Sequence, residues 1–443
     1  MRKISLGATV ALMLLSAAVT VSLTYTYAMD RFNQKISDLN EREALYNKLS
    51  EIDDQARNRF AGGIDEATLQ DAICAGYAAG LSNSNARYMS AERYADYASS
   101  SQGVNVGVGI NTVMDEDGNM EIVEVYASSS AETAGLRKGD VVVALDGKEV
   151  SRIGYIDASA QLDGADGSQV VMTVLRPDGD KMKTLNFTVV RSVYTATSVS
   201  YQFINGNVGY IRVSAFGNSS VSAFRTALTV LQSEENLSGL VIDLRGNSDG
   251  DVDNMEKVAD MLLPAGEIVR TVDKDGKQMD SYLSDAESVT LPITVVIDGS
   301  TAGAAEVMAS ALHDAGCETV GETTAGTAQV TEVVVLSDGS ALFIPTENYS
   351  SKTGAILYGQ GVAADVPASL NEEEQQAFSR YDLQPQDDPM VQSAVTRLLA
   401  SGADVEQVPG SSESEESKDA DAEESSSQKE TSSQEKTEEK KES

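Results

Sequence analysis

Only one histidine, His313, and two cysteines, Cys74 and Cys317, occur in 443 residues. This limits the available chemistry. A zinc site has too few ligands, and imidazole catalysis has a single candidate base. The two cysteines are far apart in sequence, in or beside segments that read as helical, so buried thiols are expected rather than a disulfide. No Gly-rich phosphate loop occurs, and no cofactor is expected. Two segments carry more promise. Val106-Gly107-Val108-Gly109-Ile110 opens a strand with two glycines. Ser300-Thr301-Ala302-Gly303-Ala304-Ala305-Glu306 is a small-residue run that opens a helix, and its two hydroxyls suit either capping or nucleophilic attack.

Charge narrows the partners. The chain carries a formal net charge of -36, and 41% of its residues are hydrophobic. From Pro409 onward there are 12 Asp/Glu and 5 Lys/Arg, so most of the negative charge belongs to the rest of the chain. Nucleic-acid binding needs a basic footprint and is excluded as an expectation.

The elements that must position these residues follow from hydrophobic patterning. Arg2 and Lys3 precede an apolar run from Ile4 to about Met29, read as an uncleaved signal anchor (residues 1–29) with the bulk of the chain extracytoplasmic. Residues 30–102 read as helical. Phe32, Ile36, Leu39, Leu45 and Leu49 form a stripe expected to pack against the chain's own body. Residues 103–192 mix strands with a short helix from Ile153 to Leu162, and Pro177-Asp178-Gly179-Asp180 makes a hairpin turn. From 193 to 370, strands at Val208–Val213, Leu240–Leu244 and Ile293–Ile297 alternate with helices. That succession implies an α/β core with parallel pairing. Residues 371–400 read as a closing helical region. Residues 401–443, rich in Ser, Glu and Lys, are expected to be a disordered acidic tail. The fold class is therefore α/β multidomain.

Two resemblances follow from motifs. Ser130-Ala131-Glu132-Thr133-Ala134-Gly135-Leu136-Arg137-Lys138-Gly139-Asp140, leading into Val141–Gly147, resembles the PDZ domain of bacterial proteases. The resemblance implies that an extended peptide C-terminus adds along the Gly107–Thr112 edge. Main-chain amides of Val106, Gly107, Val108, Gly109 and Ile110 would take its carboxylate, with the 153–162 helix as the other wall. Residues 59–400 resemble the C-terminal processing (tail-specific) proteases, a family of serine peptidases. The resemblance rests on Gly80-Leu81 through Arg87-Tyr88-Met89, Val208–Val213 with Phe216, Leu240–Asn247, Gly321–Gly326 and Gly359–Val362.

That family uses a Ser nucleophile and a neutral Lys base, with backbone amides as the oxyanion hole. The resemblance puts the nucleophile three residues before Glu306, where this chain has Gly303. It puts the base at Thr327, a Gln at Thr331, and the oxyanion amides at Gly250 and Ala304. Ser248-Asp249-Gly250 stands where the family has Pro-Gly-Gly, so Asp249 sets a carboxylate beside a developing oxyanion. Gly303 cannot attack a carbonyl, and Thr327 cannot act as a base near neutral pH. The expectation is a catalytically impaired pseudoprotease that binds peptide C-termini. The alternative is an active peptidase with a relocated nucleophile, Ser300 or Thr301. Lys352 reads as an exposed turn residue and His313 as a surface or packing residue. Expected partners are protein or peptide C-termini, an active protease relative, the membrane and a second copy of the chain.

Overall fold

Val208–Val213, Gly239–Asp243 and Ile293–Ile297 are apolar on both faces, as strands covered by helices on two sides must be. In the computed structural model, which describes residues 6–100, 105–179, 181–285 and 289–405, they form the middle of a six-stranded sheet. Its order is Val199–Ile204, Val208–Val213, Gly239–Asp243, Ile293–Ile297, Glu318–Gly321, Val366–Pro367. The first pair is antiparallel and the rest are parallel.

Side chains alternate across this sheet. Ile211, Leu240, Ile242, Val295 and Ile297 face helices Ser220–Gln232, Val252–Asp260 and Ala304–Asp314. Val208, Tyr210, Val241, Val296 and Val320 face helix Pro389–Val405 through Met390, Val391, Ala394, Val395 and Leu398. Each such buried aliphatic side chain contributes about 1.5–3 kcal/mol. A buried ion cluster ties the second layer down. Arg245 donates to Asp243 and Asp388, both at 2.7 Å, and Tyr210 donates its hydroxyl to Asp243 at 2.7 Å. Burial opposes ionising the Asp243 carboxyl, but Arg245 outweighs it and holds the group below the usual carboxylate range.

The smaller domain is an antiparallel sheet. Ile110–Met114 forms one edge, followed by Met120–Val125, Val141–Leu145, Gln169–Asp178 and Lys181–Val190. Its own core gathers Met120, Ile122, Val142, Leu145, Val170, Met172 and Val174. Asp140, 1% exposed, accepts from Arg176 at 2.6 and 2.7 Å, fixing the Ser130–Asp140 motif to the sheet. The domain docks on the turn after helix Glu372–Ser379. Lys138 Nζ donates to Arg380 O and Asp382 Oδ1, each at 2.7 Å, Arg380 pairs with Glu121 at 3.1 Å, and Asn111 donates to the Tyr381 hydroxyl at 3.2 Å. Tyr381 adopts φ 56, an uncommon backbone state for a non-glycine residue.

Several expectations need correction. Residues 6–59 form one continuous helix, Leu6–Arg59, rather than an anchor and a separate segment. Among the described residues no helix is long and apolar enough to cross a membrane, so the anchor over 1–29 finds no support. Leu45 and Leu49 are exposed and do not pack on the body as expected. The expected strand at 106–112 is broken at Val108 and Gly109, and the expected 153–162 helix is interrupted at Gly154. A second sheet was not anticipated: Arg87–Met89, Ala341–Ser350, Gly266–Val272 and Gln278–Ser284, with Gln329–Val335 along Ala341–Ser350. The region read as helical before the PDZ motif thus also supplies a strand. The acidic tail from 406 onward lies outside the described residues.

Candidate active site

Gly303 is the N-cap of helix Ala304–Asp314, with φ 58 and ψ -120. The chain arrives from strand Ile293–Ile297 and turns sharply into the helix. Such a turn presents the residue at its apex to solvent, which is how a nucleophile elbow works. A Cβ on Gly303 would meet nothing within 4 Å, so the apex is open.

Three residues on, Glu306 is fully buried. Its carboxylate accepts five hydrogen bonds, from Gly303 N (3.0 Å), Thr324 Oγ1 (2.8 Å), Gly326 N, Thr327 N (2.8 Å) and Thr327 Oγ1 (3.1 Å). One oxygen, Oε2, therefore links Gly303 to Thr327. The two positions assigned to nucleophile and base are brought together across 24 residues of chain, with neither reactive side chain present. The Gly359–Val362 segment holds the Thr324–Thr327 loop from behind: Gly359 N donates to Gly326 O at 2.8 Å and Val362 N to Thr324 Oγ1 at 2.8 Å.

Thr331 lies on strand Gln329–Val335, opposite Pro345 and beside a register irregularity. It makes no hydrogen bond to Gly303, Glu306 or Thr327. A polar network that no local spacing announces stands behind the base position. Asn85 donates to Thr327 O at 2.8 Å and to Gln329 at 3.1 Å, Asn83 donates to Gln329 at 2.9 Å, and Gln329 donates to Asn348 at 2.8 Å. Its members come together only through tertiary folding.

The assigned oxyanion donors differ from each other. Ala304 N–H, at the helix start, donates to no acceptor among the described residues. Gly250 N–H is taken by the carboxylate of its neighbour Asp249, at 2.8 Å. The turn sits beside the elbow because Ala302 N donates to Asn247 O at 2.8 Å and Gly246 N to Asp298 Oδ1 at 3.1 Å. Ser248 and Asp249 also line a cavity of about 360 Å³ shared with Asn111, Glu124 and Tyr126 of the smaller domain. Burial pushes the Glu124 carboxyl up, against the pull of Arg212 and Lys138.

The remaining candidates separate clearly. Thr301 is fully buried; its hydroxyl reaches Leu244 O at 3.1 Å and Asp298 Oδ1 at 3.0 Å, while accepting Asp298 N at 3.0 Å. Ser300 is exposed and lines a cavity of about 220 Å³ with Arg245, Asp298 and Glu322. The one cation there, Arg245, is committed to Asp243 and Asp388 and cannot act as a base. Lys352 is exposed, and its main-chain N–H donates to Asp314 at the far end of the helix, about 15 Å from the elbow. His313 is at that same end, 3.2 Å from Asp365. Cys74 and Cys317 are free and half-buried.

In the smaller domain, Val106–Ile110 adopts the close approach its glycines allow. Gly109 has φ 80, and a Cβ there would lie 2.3 Å from Ser129 Cβ. Val108 O accepts from Ala131 N at 2.9 Å, seating the short helix Ser130–Ala134 against this loop.

A parallel-sheet core with a strand-to-helix elbow, joined to a smaller antiparallel domain, has the layout of a serine-peptidase scaffold with a PDZ-like module. Comparison gives the family. The Peptidase family S41 profile matches residues 207–368, and a PDZ domain profile matches residues 121–176. The chain is 30% identical over 344 residues to the carboxy-terminal-processing protease of Bartonella bacilliformis, covering 75% of this chain and 77% of that protein. It is 27% identical to carboxy-terminal processing protease CtpB of Bacillus subtilis, covering 73% and 67%. A solved structure of an S41-family chain from Bacteroides fragilis shares the fold, with TM-score 0.51 and 18% identity over 77% of this chain and 93% of that one. This chain belongs to the carboxy-terminal processing proteases of peptidase family S41.

Proposed function

We propose that this chain is a non-hydrolysing member of its family, one that holds peptides by a free C-terminus in its PDZ domain and leaves them intact. The observation that carries the reading is the shared oxygen of Glu306, with Gly303 on one side and Thr327 on the other. The scaffold brings the two catalytic positions together, and neither residue has the side chain the reaction needs. Two further features support it. Thr301 has its hydroxyl tied up in the interior, and Asp249 occupies the Gly250 amide that a tetrahedral oxyanion would need. Such a protein serves as a scaffold or as a competitor for an active relative. The reading also places its body outside the cytoplasm, because two basic residues lead the apolar run. Protease accessibility on intact cells tests the location.

The activity test is a digest of peptides with free C-termini by the full chain, read by mass spectrometry. Intact peptides are expected. The second reading, Ser300 as a relocated nucleophile, is supported by its exposure on a cavity and predicts turnover that disappears in Ser300→Ala. Restoration separates scaffold from chemistry. Gly303→Ser with Thr327→Lys is expected to give only trace cleavage. Adding Asp249→Gly frees the second oxyanion amide and is expected to raise the rate roughly 10²–10³-fold. No gain from the third substitution would show that the Asp249 contact does not limit the site.

A further inference from the structure

The peptide-binding edge is partly closed by the protein's own side chain. Ile110 stands opposite Val125, and Tyr126 N–H donates to Gly109 O at 3.1 Å. In an antiparallel ladder this pattern marks Ile110–Val125 as a pair that exchanges no hydrogen bonds, so the main-chain groups of Ile110 turn to the open edge. Two residues on, Thr112 turns the same way. Its carbonyl is not open. The Tyr155 hydroxyl donates to Thr112 O at 2.7 Å and lies 3.2 Å from Thr112 Oγ1. Tyr155 is the first residue of helix Tyr155–Ala160, the opposite wall of the groove, and its ring packs on the domain core. On the near side of the glycines, the segment after that helix bonds to the same stretch. Val108 N–H donates to Leu162 O at 3.1 Å, and Gly164 N–H donates to Val106 O at 3.3 Å.

We propose that Tyr155 is an intramolecular latch that competes with an incoming peptide for the Thr112 carbonyl. The inference rests on the peptide-binding reading above. A peptide that adds as a strand must place one of its own N–H groups on Thr112 O, because the backbone groups of an edge strand are what β-addition uses. The phenol must swing out first, so each bound peptide exchanges its hydrogen bond for one already made. Residues nearest the carboxylate, seated at Gly109 and Ile110, engage without unlatching. Deeper residues do not.

The latch makes two predictions of opposite sign for Tyr155→Phe, which keeps the ring and removes the donor. In the full chain, fluorescence anisotropy with a fluorescein-labelled pool of decapeptides, free at the C-terminus and ending in an apolar residue, should show about fivefold tighter binding, the worth of one neutral hydrogen bond. Without peptide, the same variant should melt about 2 °C lower, because the bond that opposed binding also supported the fold. Binding equal to or weaker than wild type, or an unchanged melting point, overturns the latch. Failure of both chains to bind the pool removes the peptide-binding reading itself, and the latch with it; that result is distinct from equal binding by both.

Discussion

The elbow of the core and the edge of the PDZ domain are held by different kinds of contact. At the elbow, main-chain and threonine donors meet one buried carboxylate. Glu306 gathers Gly303, Thr324, Gly326 and Thr327, and among the described residues Ala304 N–H meets no acceptor. At the edge of the PDZ domain several main-chain groups are already engaged within the domain: Thr112 O by Tyr155, Val108 N–H by Leu162 O and Val106 O by Gly164 N–H. The difference teaches which interactions hold a site and which ones use it. The elbow is held by a buried carboxylate and main-chain donors, none of which needs the nucleophile or the base. The groove has no such separation, because its binding groups are the unpaired backbone of an edge strand and must be either filled or covered.

If the two regions are separable, a substitution in one should leave the other folded. The largest effect is expected from Asp388→Ala, which leaves Arg245 with one carboxylate in a buried site. The loss should be about 3–5 kcal/mol, confined to the core transition in denaturant unfolding. Next is Gly109→Ala, where a Cβ would lie 2.3 Å from Ser129 Cβ at φ 80. Roughly 2–4 kcal/mol should be lost from the PDZ transition alone. If either variant melts both regions together, the two are one cooperative unit and the contrast fails. Glu306→Gln should cost about 1–3 kcal/mol, since its NH₂ must face donors on one side of the former carboxylate. Its chemical-shift changes should reach Gly303 and Thr327 together.

Acidity sharpens the contrast further. The folded-state pKa of Asp243 is depressed below its unfolded value near 3.9, because Arg245 outweighs the cost of burial. Its contribution is fully present above that unfolded value and is lost as pH falls through the lower folded one. Acid titration by circular dichroism should therefore weaken the core through this cluster. The smallest effect concerns reactivity. Burial pushes the Cys317 thiol up to about 11, so alkylation by iodoacetamide at neutral pH should be slow until the core opens.

Much of the core was legible because its strands are covered on both sides, and apolar runs such as Leu240–Ile242 and Ile293–Ile297 stand out from any loop. The positions of Gly303 and Thr327 were legible through their motif neighbours, Glu306 and Gly321–Gly326, which the structure brings to one carboxylate. The second sheet was not. Gln278–Ser284 is largely exposed and polar, and Gly266–Val272, although Ile268 and Val269 are buried, finds its second partner Ala341–Ser350 far along the chain. The Tyr155 contact was hidden for a related reason: a phenol on a helix start reads as packing until a carbonyl 43 residues away is placed beside it.

The grip of Lys138 on Arg380 O and Asp382 carries an electrostatic consequence. Lys138 and Asp382 are roughly half exposed, and Arg380–Glu121 is also partly open to solvent. The hinge between PDZ domain and core is therefore clasped by charges that dissolved ions can screen within about 10 Å at 0.1 M ionic strength. Raising the salt concentration should therefore weaken this contact.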